Sequence, residues 1–520
     1  MILSVVTRAQ QALKHGALAV SVAGFATSGV HAAVVISVDP TTNMSCSNGV
    51  CKPTAATANL NVTDLANLLA SGNVKVVSDS AAEDIRLAAP LSWTSASRLT
   101  LDSHRSIAIK QPLSVTGTGA LTLRTNDGGS GGDLFFEGKA QIEFWDLTSG
   151  LVIDGNTYTL VRSIRQLADA VKADPAGSYA LAKQYDAGKH GAYAQSPIST
   201  TFYGRFEGLG NAISGFSMDI TRGTDSATNF EGLFAQSAGA IENLEMQNVN
   251  VTAAHSPYPE TIGALVGRNI GSIRRVSITG VVTGRANDTY DDVVGGMTGL
   301  TSGTIANCRS TASVTAILWA GGLVGQQFFA SSSISDSYAT GPVSGGGNSG
   351  GLAAYSEGSI ISSFATGAVD NSKVTPYTTG EVGGLVGENH GAISNSYARG
   401  SATGFNDSSA GGLVGYNDGQ ITTSYSIGVV GSPPCTCGGL IGDDEAQSGS
   451  LASTYWDLDT SGITDPARGA GNVSGDPGIT GLSDGQIRSG LPSGFDPTLW
   501  AEKKRTNGGY PYLRANPPPQ

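Results

Sequence analysis

Gly383-Gly384-Leu385-Val386-Gly387, a short turn, Ile393, then Ser396-Tyr397-Ala398-Arg399-Gly400 is the stretch on which the fold turns. Clear copies begin at Gly321 and Gly411, and degenerate ones centre on Leu233, Leu265, Met297, Leu352 and Leu440. The copies recur every 26 to 33 residues. A unit of that size cannot bury its own apolar face, so it must stack on its neighbours. A stack of such units is a rod, better suited to reach and surface contact than to chemistry.

Aligning the copies separates their positions by role. One column reads Leu233, Leu265, Met297, Leu323, Leu352, Leu385, Leu413 and Leu440; a second reads Ile241, Ile273, Ile305, Ile334, Ile360, Ile393 and Ile421. Both are uniformly apolar and should point inward. Three residues after the Ile comes Leu244, Val276, Cys308, Ser337, Ser363, Ser396 and Ser424, which suits a narrowing interior. That spacing breaks strand alternation, so a bend must lie between the two columns. The residue before the Ser column is Asn243, Arg275, Asn307, Asp336, Ser362, Asn395 or Thr423. Asn and Asp tolerate left-handed backbone, which makes this a corner ladder. The paired glycines (321–322, 350–351, 383–384, 411–412) are expected to supply positive-φ corners and close approach between coils.

A further column reads Glu245, Ser277, Arg309, Tyr338, Phe364, Tyr397, Tyr425 and Tyr455. A position that accepts Glu and Arg should face water, so Tyr338, Phe364, Tyr397, Tyr425 and Tyr455 are expected to form an exposed strip. Such a strip would either bind a ligand or stabilise the sheet by stacking.

The phrase resembles the GLUG motif of bacterial surface proteins and large adhesins. The segment Phe206-Glu207-Gly208-Leu209-Gly210-Asn211-Ala212-Ile213-Ser214-Gly215-Phe216 resembles the coil that leads into such repeats, and Tyr455-Trp456-Asp457-Leu458-Asp459-Thr460-Ser461-Gly462 resembles their exit. Residues 58–124 are similar, more loosely, to coils of filamentous-haemagglutinin-type adhesins. The resemblance implies a β-solenoid with an adhesin-like role and carries over no binding residue.

Ahead of the repeats, period-two pairs (Ile85/Leu87, Leu99/Leu101, Ile107/Ile109, Leu113/Val115, Leu121/Leu123) read as short strands. They fit irregular solenoid coils, with a Greek-key sandwich as the alternative. Thr63 is the expected cap of a short helix carrying Leu65, Leu68 and Leu69. Ser163 is the expected cap of a second, with Ile164, Leu167, Ala168 and Val171 on one stripe, ended by Asp174-Pro175. The expected fold is therefore all-β: a right-handed parallel β-helix (β-solenoid) with short capping helices. Its parts are a signal peptide (1–32), a polar leader (33–60), irregular coils (61–156), a helix plus entry coils (157–230), the repeat stack (231–462), and a C-terminal cap and tail (463–520).

The chain has 520 residues and 72 glycines, is 14% charged and 7% aromatic, and carries a net charge of −12. At 39% hydrophobic it is too apolar for disorder. The acidity disfavours nucleic acid and anionic membrane as partners. Arg8, Lys14 and His15 precede an apolar run at 17–26 and a Val30-x-Ala32 site, the pattern of a secretory signal. No later apolar stretch approaches the roughly 20 residues needed to span a bilayer. The expected location is thus secreted or at the cell surface, where cysteines oxidise. Of the five cysteines, Cys46 and Cys51 flank a turn and could close a disulfide. Cys435 and Cys437, two apart, sit near the upper limit for a bridge.

Catalytic patterns are not readable. Some GLUG-bearing proteins are zinc peptidases that cleave immunoglobulin A, which requires His-Glu-x-x-His. None of His15, His31, His104, His190, His255 and His390 begins that pattern. His390, in a turn, reads as solvated. Carboxylates at Asp291-Asp292, Asp443-Asp444-Glu445 and Asp457/Asp459 fall in expected loops and form no acidic column. No cofactor or metal is expected. The sequence therefore points to an exported, non-catalytic surface adhesin whose partner is a host or matrix protein or a glycan. The alternatives are a glycan-active β-helix lyase or hydrolase, and a passive stalk.

Overall fold

The structure is a computed structural model, and it describes residues 32–220, 229–253, 260–285, 292–372, 380–405, 408–431 and 434–519. The expected signal peptide, apart from Ala32, lies outside the described residues, as do His255 and Asp291. Among the described residues no helix is long and apolar enough to cross a membrane.

The chain winds into a parallel β-solenoid of about 14 turns. One repeat coil shows the path. Glu381–Gly383 forms a strand, the chain bends at Gly384-Leu385, and Val386–Asn389 forms the next. After the turn at His390-Gly391, Ala392–Ser394 and Tyr397–Ala398 complete the third wall, with Ala402–Thr403 beyond. Successive coils pair in register: Gly383 with Gly411, Val386 with Val414, Ile393 with Ile421, and Tyr397 with Tyr425. Two of the walls are eight-stranded parallel sheets running the length of the repeats.

The apolar columns are interior. Every residue of the Leu column is 0% exposed, and the Ile column reaches no more than 1%. The corner ladder is also as expected. Asn243, Arg275, Asn307, Asp336, Ser362, Asn395 and Thr423 all have φ between 47° and 56°, and Ser453 continues the series. Only four of these seven corners are Asn or Asp, so the register of the stack, not the side chain, holds the strained backbone at Arg275, Ser362 and Thr423.

That corner takes the next residue out of simple strand pairing, and the Ser column repairs the loss. Ser337, Ser363, Ser396 and Ser424 each donate their hydroxyl to the carbonyl two residues earlier, at 2.7–2.9 Å. Each hydroxyl also accepts the N–H of the preceding coil's equivalent residue, at 3.0–3.2 Å. A small hydroxyl suits this position because it gives these buried backbone groups a partner. In the earlier coils buried Leu244 and Val276 fill the same place without that bond.

The glycines behave otherwise than expected. None of the paired repeat glycines has positive φ. Their requirement is close approach alone. A Cβ at Gly384 would collide with the carbonyl oxygen of Gly412 on the next coil and stand 3.0 Å from the Ala398 Cβ.

Residues 33–60 are not a polar leader. Ala33–Ser37 pairs in parallel with Ala58–Asn61 and with Asp84–Leu87, so these residues already belong to the solenoid. Alternating Val34 and Ile36 bury against this first core, which the sequence's Ser/Thr/Asn content obscured. Cys46 and Cys51 sit directly opposite in a hairpin and form the disulfide. Cys435 and Cys437 also pair, with Cα atoms 5.3 Å apart. Cys308 is free and buried.

Helix α1 (Val62–Ser71) is capped by Asn61, not Thr63: the Asn61 carboxamide oxygen accepts the N–H groups of Thr63 and Asp64. Helix α2 (Ile164–Ala173) is capped by Ser163 as expected and buries Ile164, Leu167 and Val171. The core consists of one cluster in the N-terminal coils and a second running through the repeats. Asn211 stitches them, donating to the carbonyls of Ile142 at 2.8 Å and Leu181 at 3.0 Å.

Candidate functional site

The aromatic column stacks as its spacing implies. Tyr338, Phe364, Tyr397 and Tyr425 lie face to face with centroids 4.7, 4.8 and 5.1 Å apart and planes within 9°. The expected exposure is wrong. Phe364, Tyr397 and Tyr425 are completely buried and Tyr455 is 8% exposed, while Tyr338 at the end of the stack is half-buried.

The cover is the chain's own C-terminal segment. Trp500 lies 6.1 Å from Tyr397 and 6.0 Å from Tyr425, and Phe495 packs on Tyr425 and Tyr455 at 6.3 and 5.8 Å. Polar contacts fix this strap. The Tyr425 hydroxyl donates to the Pro511 carbonyl (2.5 Å) and accepts from the Asn507 amide (3.0 Å), and the Tyr455 hydroxyl donates to the Ser493 carbonyl (2.8 Å). The Tyr510 hydroxyl donates to Asp484, and Arg488 donates to the Tyr510 hydroxyl at 3.0 Å. Burial pushes the Tyr397 and Tyr425 phenols up. The Glu and Arg of this column belong to earlier coils; the buried rings belong to the coils packed under Phe495 and Trp500. Phe364, Tyr397, Tyr425 and Tyr455 thus form an internal docking seat rather than an exposed strip, with half-buried Tyr338 at its end.

A different column faces outward. On the second eight-stranded sheet, Gln236, Arg268, Leu300, Gln326, Tyr355, Glu388, Tyr416 and Asp443 align in register. Period-two reading misses it. Val386 is buried and alternation would bury Glu388, but Glu388 is half-exposed and Asn389 buried. The parity changes at Gly387, where a Cβ would collide with the Ala354 carbonyl oxygen on the preceding coil. The buried partner, Asn389, donates to Asn417 and Asn417 to Asp444, each at 2.7 Å, so this face rests on an internal amide ladder.

Around the row sit half-exposed rings and carboxylates. Trp319 meets Tyr355 edge-on at 5.7 Å, and Phe328 lies 5.4 Å from it. His390 lies between Tyr355 (5.1 Å) and Tyr416 (5.7 Å). It is not solvated as the sequence suggested: its Nε2 meets Glu388 Oε1 at 2.6 Å and its Nδ1 meets Asp418 Oδ1 at 2.7 Å. These bonds, Glu388 first, push the imidazole up to about 9 against the cost of burial. Asn348 donates to Glu388 Oε2 at 2.6 Å and accepts the Glu381 N–H at 3.0 Å. Glu381 is pushed up to about 7, chiefly by burial. Asn348, Glu381, Glu388 and Tyr416 line a cleft of about 270 Å³.

The raised His390 value fixes a sign. Its folded value lies above the ordinary 6.5, so its ion pairs contribute fully below about pH 6.5 and are lost as pH rises through about 9. NMR titration of the wild-type ring should give a midpoint near 9. His390→Gln should remove the associated fall in stability between those pH values, an effect of up to about 1 kcal/mol for a partly exposed pair. A midpoint near the ordinary value would show that the bridge does not form in solution.

Of the other candidate acids, Asp443, Asp444 and Asp457 are strand residues rather than loop residues, while Asp292, Glu445 and Asp459 lie outside strands as expected. Asp443 and Asp444 end the strand Ile441–Asp444, and Asp457 ends Leu451–Asp457. Asp292 is fully buried and paired with Arg285 at 2.8 Å. Among the described residues no group of three or more His, Cys, Asp or Glu could hold a metal ion.

No protein-family model matches the chain, and no curated protein does. Among solved structures, it is similar to a candidate immunoglobulin A1 protease from Bacteroides ovatus, at 18% identity and TM-score 0.40, over 69% of this chain and 93% of that one. It is also similar to a structure described as an IgA1 protease, at 21% identity and TM-score 0.36, over 61% of this chain and 23% of that one. Activity does not transfer at such identities.

Proposed function

We propose that this chain is an exported, non-catalytic, adhesin-like protein that uses the outward row of its second sheet to contact a host or matrix protein or a glycan. The observation that carries this reading is the group of half-exposed rings, Trp319, Phe328, Tyr355 and Tyr416, gathered beside ordered carboxylates, with Tyr355, Glu388 and Tyr416 in register. Aromatic side chains with one polar end are well suited to contact surfaces, because they offer large area at small entropic cost. The row lies on a rigid sheet, so little ordering is required on binding. Binding of the whole chain to immobilised matrix proteins and glycans should fall at least about tenfold in a Tyr355→Ser/Tyr416→Ser variant. Equal binding by that variant, with its melting curve unchanged, would remove the row from the proposal.

One observation favours a second reading, a glycan-active enzyme. Glu381 is pushed up to about 7, while its neighbour Glu388 is held by protonated His390 and Asn348. Both carboxyls line one cleft, and a pair of carboxyls in different surroundings across a cleft is what acid–base chemistry on a glycan requires. Release of reducing ends from polysaccharides, abolished in Glu381→Gln, would favour the enzyme over the adhesin.

A further inference from the structure

The aromatic stack has an open end, and a groove lies there. Phe364 covers one face of Tyr338 at 4.7 Å. The other face looks toward the preceding coil, where the register places Arg309. Arg309 does not cover that ring. It reaches the other way, past the small Ser277, to Glu245 at 3.6 Å. The result is a groove of about 300 Å³ with Tyr338 at one end and Ser277 on its floor. Three distant parts of the chain enclose it. Phe136 comes from the N-terminal coils, the corner residues Asn307 and Asp336 come from the repeats, and Asn516 comes from the C-terminal strap. Asn516 is anchored by its amide, which donates to the carbonyls of Ser362 at 3.2 Å and Ser337 at 3.4 Å.

The polar groups in this groove are unequal. Arg275 is already neutralised by Asp133 at 2.7 Å and bonded to Asn243 at 2.6 Å, and Arg309 is engaged by Glu245. Asp336 and Asn307 have no side-chain hydrogen bond among the described residues. Burial alone pushes the Asp336 carboxyl up to about 6. A half-buried ring face beside an unengaged carboxyl and amide suits a ligand with an apolar face and a rim of hydroxyls. The paired arginines offer no free cation to an anionic ligand, and the chain's charge of −12 repels one.

We propose that this groove is a binding site for an uncharged saccharide, whose ring stacks on Tyr338 as the next member of the aromatic ladder and whose hydroxyls bond Asp336 and Asn307. The site is separate from the Tyr355–Tyr416 row. The volume is at the small end of ligand pockets, about 300–1,000 Å³, so a short saccharide or the end of a chain is the occupant.

The test is saturation-transfer NMR on the full chain with a panel of cellobiose, maltotriose, mannobiose and chitobiose. At least one should receive saturation, strongest on its ring C–H protons. Asp336→Gly, which keeps the left-handed backbone free of strain while removing the carboxyl, should weaken that binding about tenfold, as should Tyr338→Ala. Tyr355→Ser/Tyr416→Ser should leave it unchanged, which separates this site from the outward row. If Tyr338→Ala does not fold, Asp336→Gly decides. No transfer to any of the four sugars, full binding by Asp336→Gly, or loss in the Tyr355→Ser/Tyr416→Ser variant would each overturn the assignment.

Discussion

Trp500→Ala is expected to release the C-terminal strap from the stack, at a cost of about 3–5 kcal/mol to that contact. Trp500 is fully buried, and it touches Tyr397, Tyr425 and Phe495 together. Its indole N–H also donates to Asn395 at 3.3 Å. Around it, Phe364, Tyr397, Tyr425, Tyr455, Phe495, Tyr510 and Leu513 make a cluster separate from the core inside the coils. The loss should therefore be local. Hydrogen exchange should speed up across the antiparallel pair Trp500–Ala501 and Tyr512–Leu513, while the coil strands keep their protection. Because the uncovered rings form a continuous apolar strip, the variant should also bind a hydrophobic dye and associate at high concentration. Unchanged exchange in 495–513 would show that the polar contacts hold the strap without the indole.

Gly384→Val should have a comparable effect through a different mechanism. The spacing between coils is set by the ladder hydrogen bonds, so a coil cannot move away from its neighbour to accept a side chain. Gly384 faces the Gly412 carbonyl and the Ala398 Cβ, and both are held in register by flanking strands. Overpacking of this kind costs about 1–3 kcal/mol, and a branched side chain against backbone belongs at or above the top of that range. In a stack the loss falls on the interface between two coils. Denaturant unfolding should therefore shift to lower midpoint, with faster exchange in Leu385 and Val386, whose N–H groups donate to the Leu413 carbonyl across that interface. Gly485→Ala, where added volume meets nothing within 4 Å, is the control and should stay within about 0.5 kcal/mol of wild type. Equal midpoints for both variants would show that the coil spacing is softer than its register implies.

The two effects mark where the sequence was legible. The Leu and Ile columns were readable because burial demands the same chemistry in every copy. The corner ladder was readable because Asn and Asp recur at one place, even though Arg275, Ser362 and Thr423 adopt the same backbone. A repeated Gly is equally consistent with positive φ and with close approach, and only the folded backbone separates the two. The outward row was invisible because Gly387 changes the strand's parity, so Glu388 and Tyr416 could not be assigned to a face by counting. His390 was misjudged because its partners are unrelated in the sequence pattern; Asp418 lies on the next coil.

By itself the sequence determined the solenoid, the residues that fill its interior and the stacking of Tyr338, Phe364, Tyr397 and Tyr425. These follow from the repeat, since each coil meets a copy of itself at a fixed offset and the same contact recurs. Only the tertiary structure decided which surfaces stay open. Exposure depends on segments outside the repeat, and the strap at 483–516 folds back over one face with no periodic signal to announce it. That one contact turns an apparent ligand strip into a core, leaves Tyr338 as its uncovered end, and moves the search for ligands to the groove beside it and the row on the second sheet.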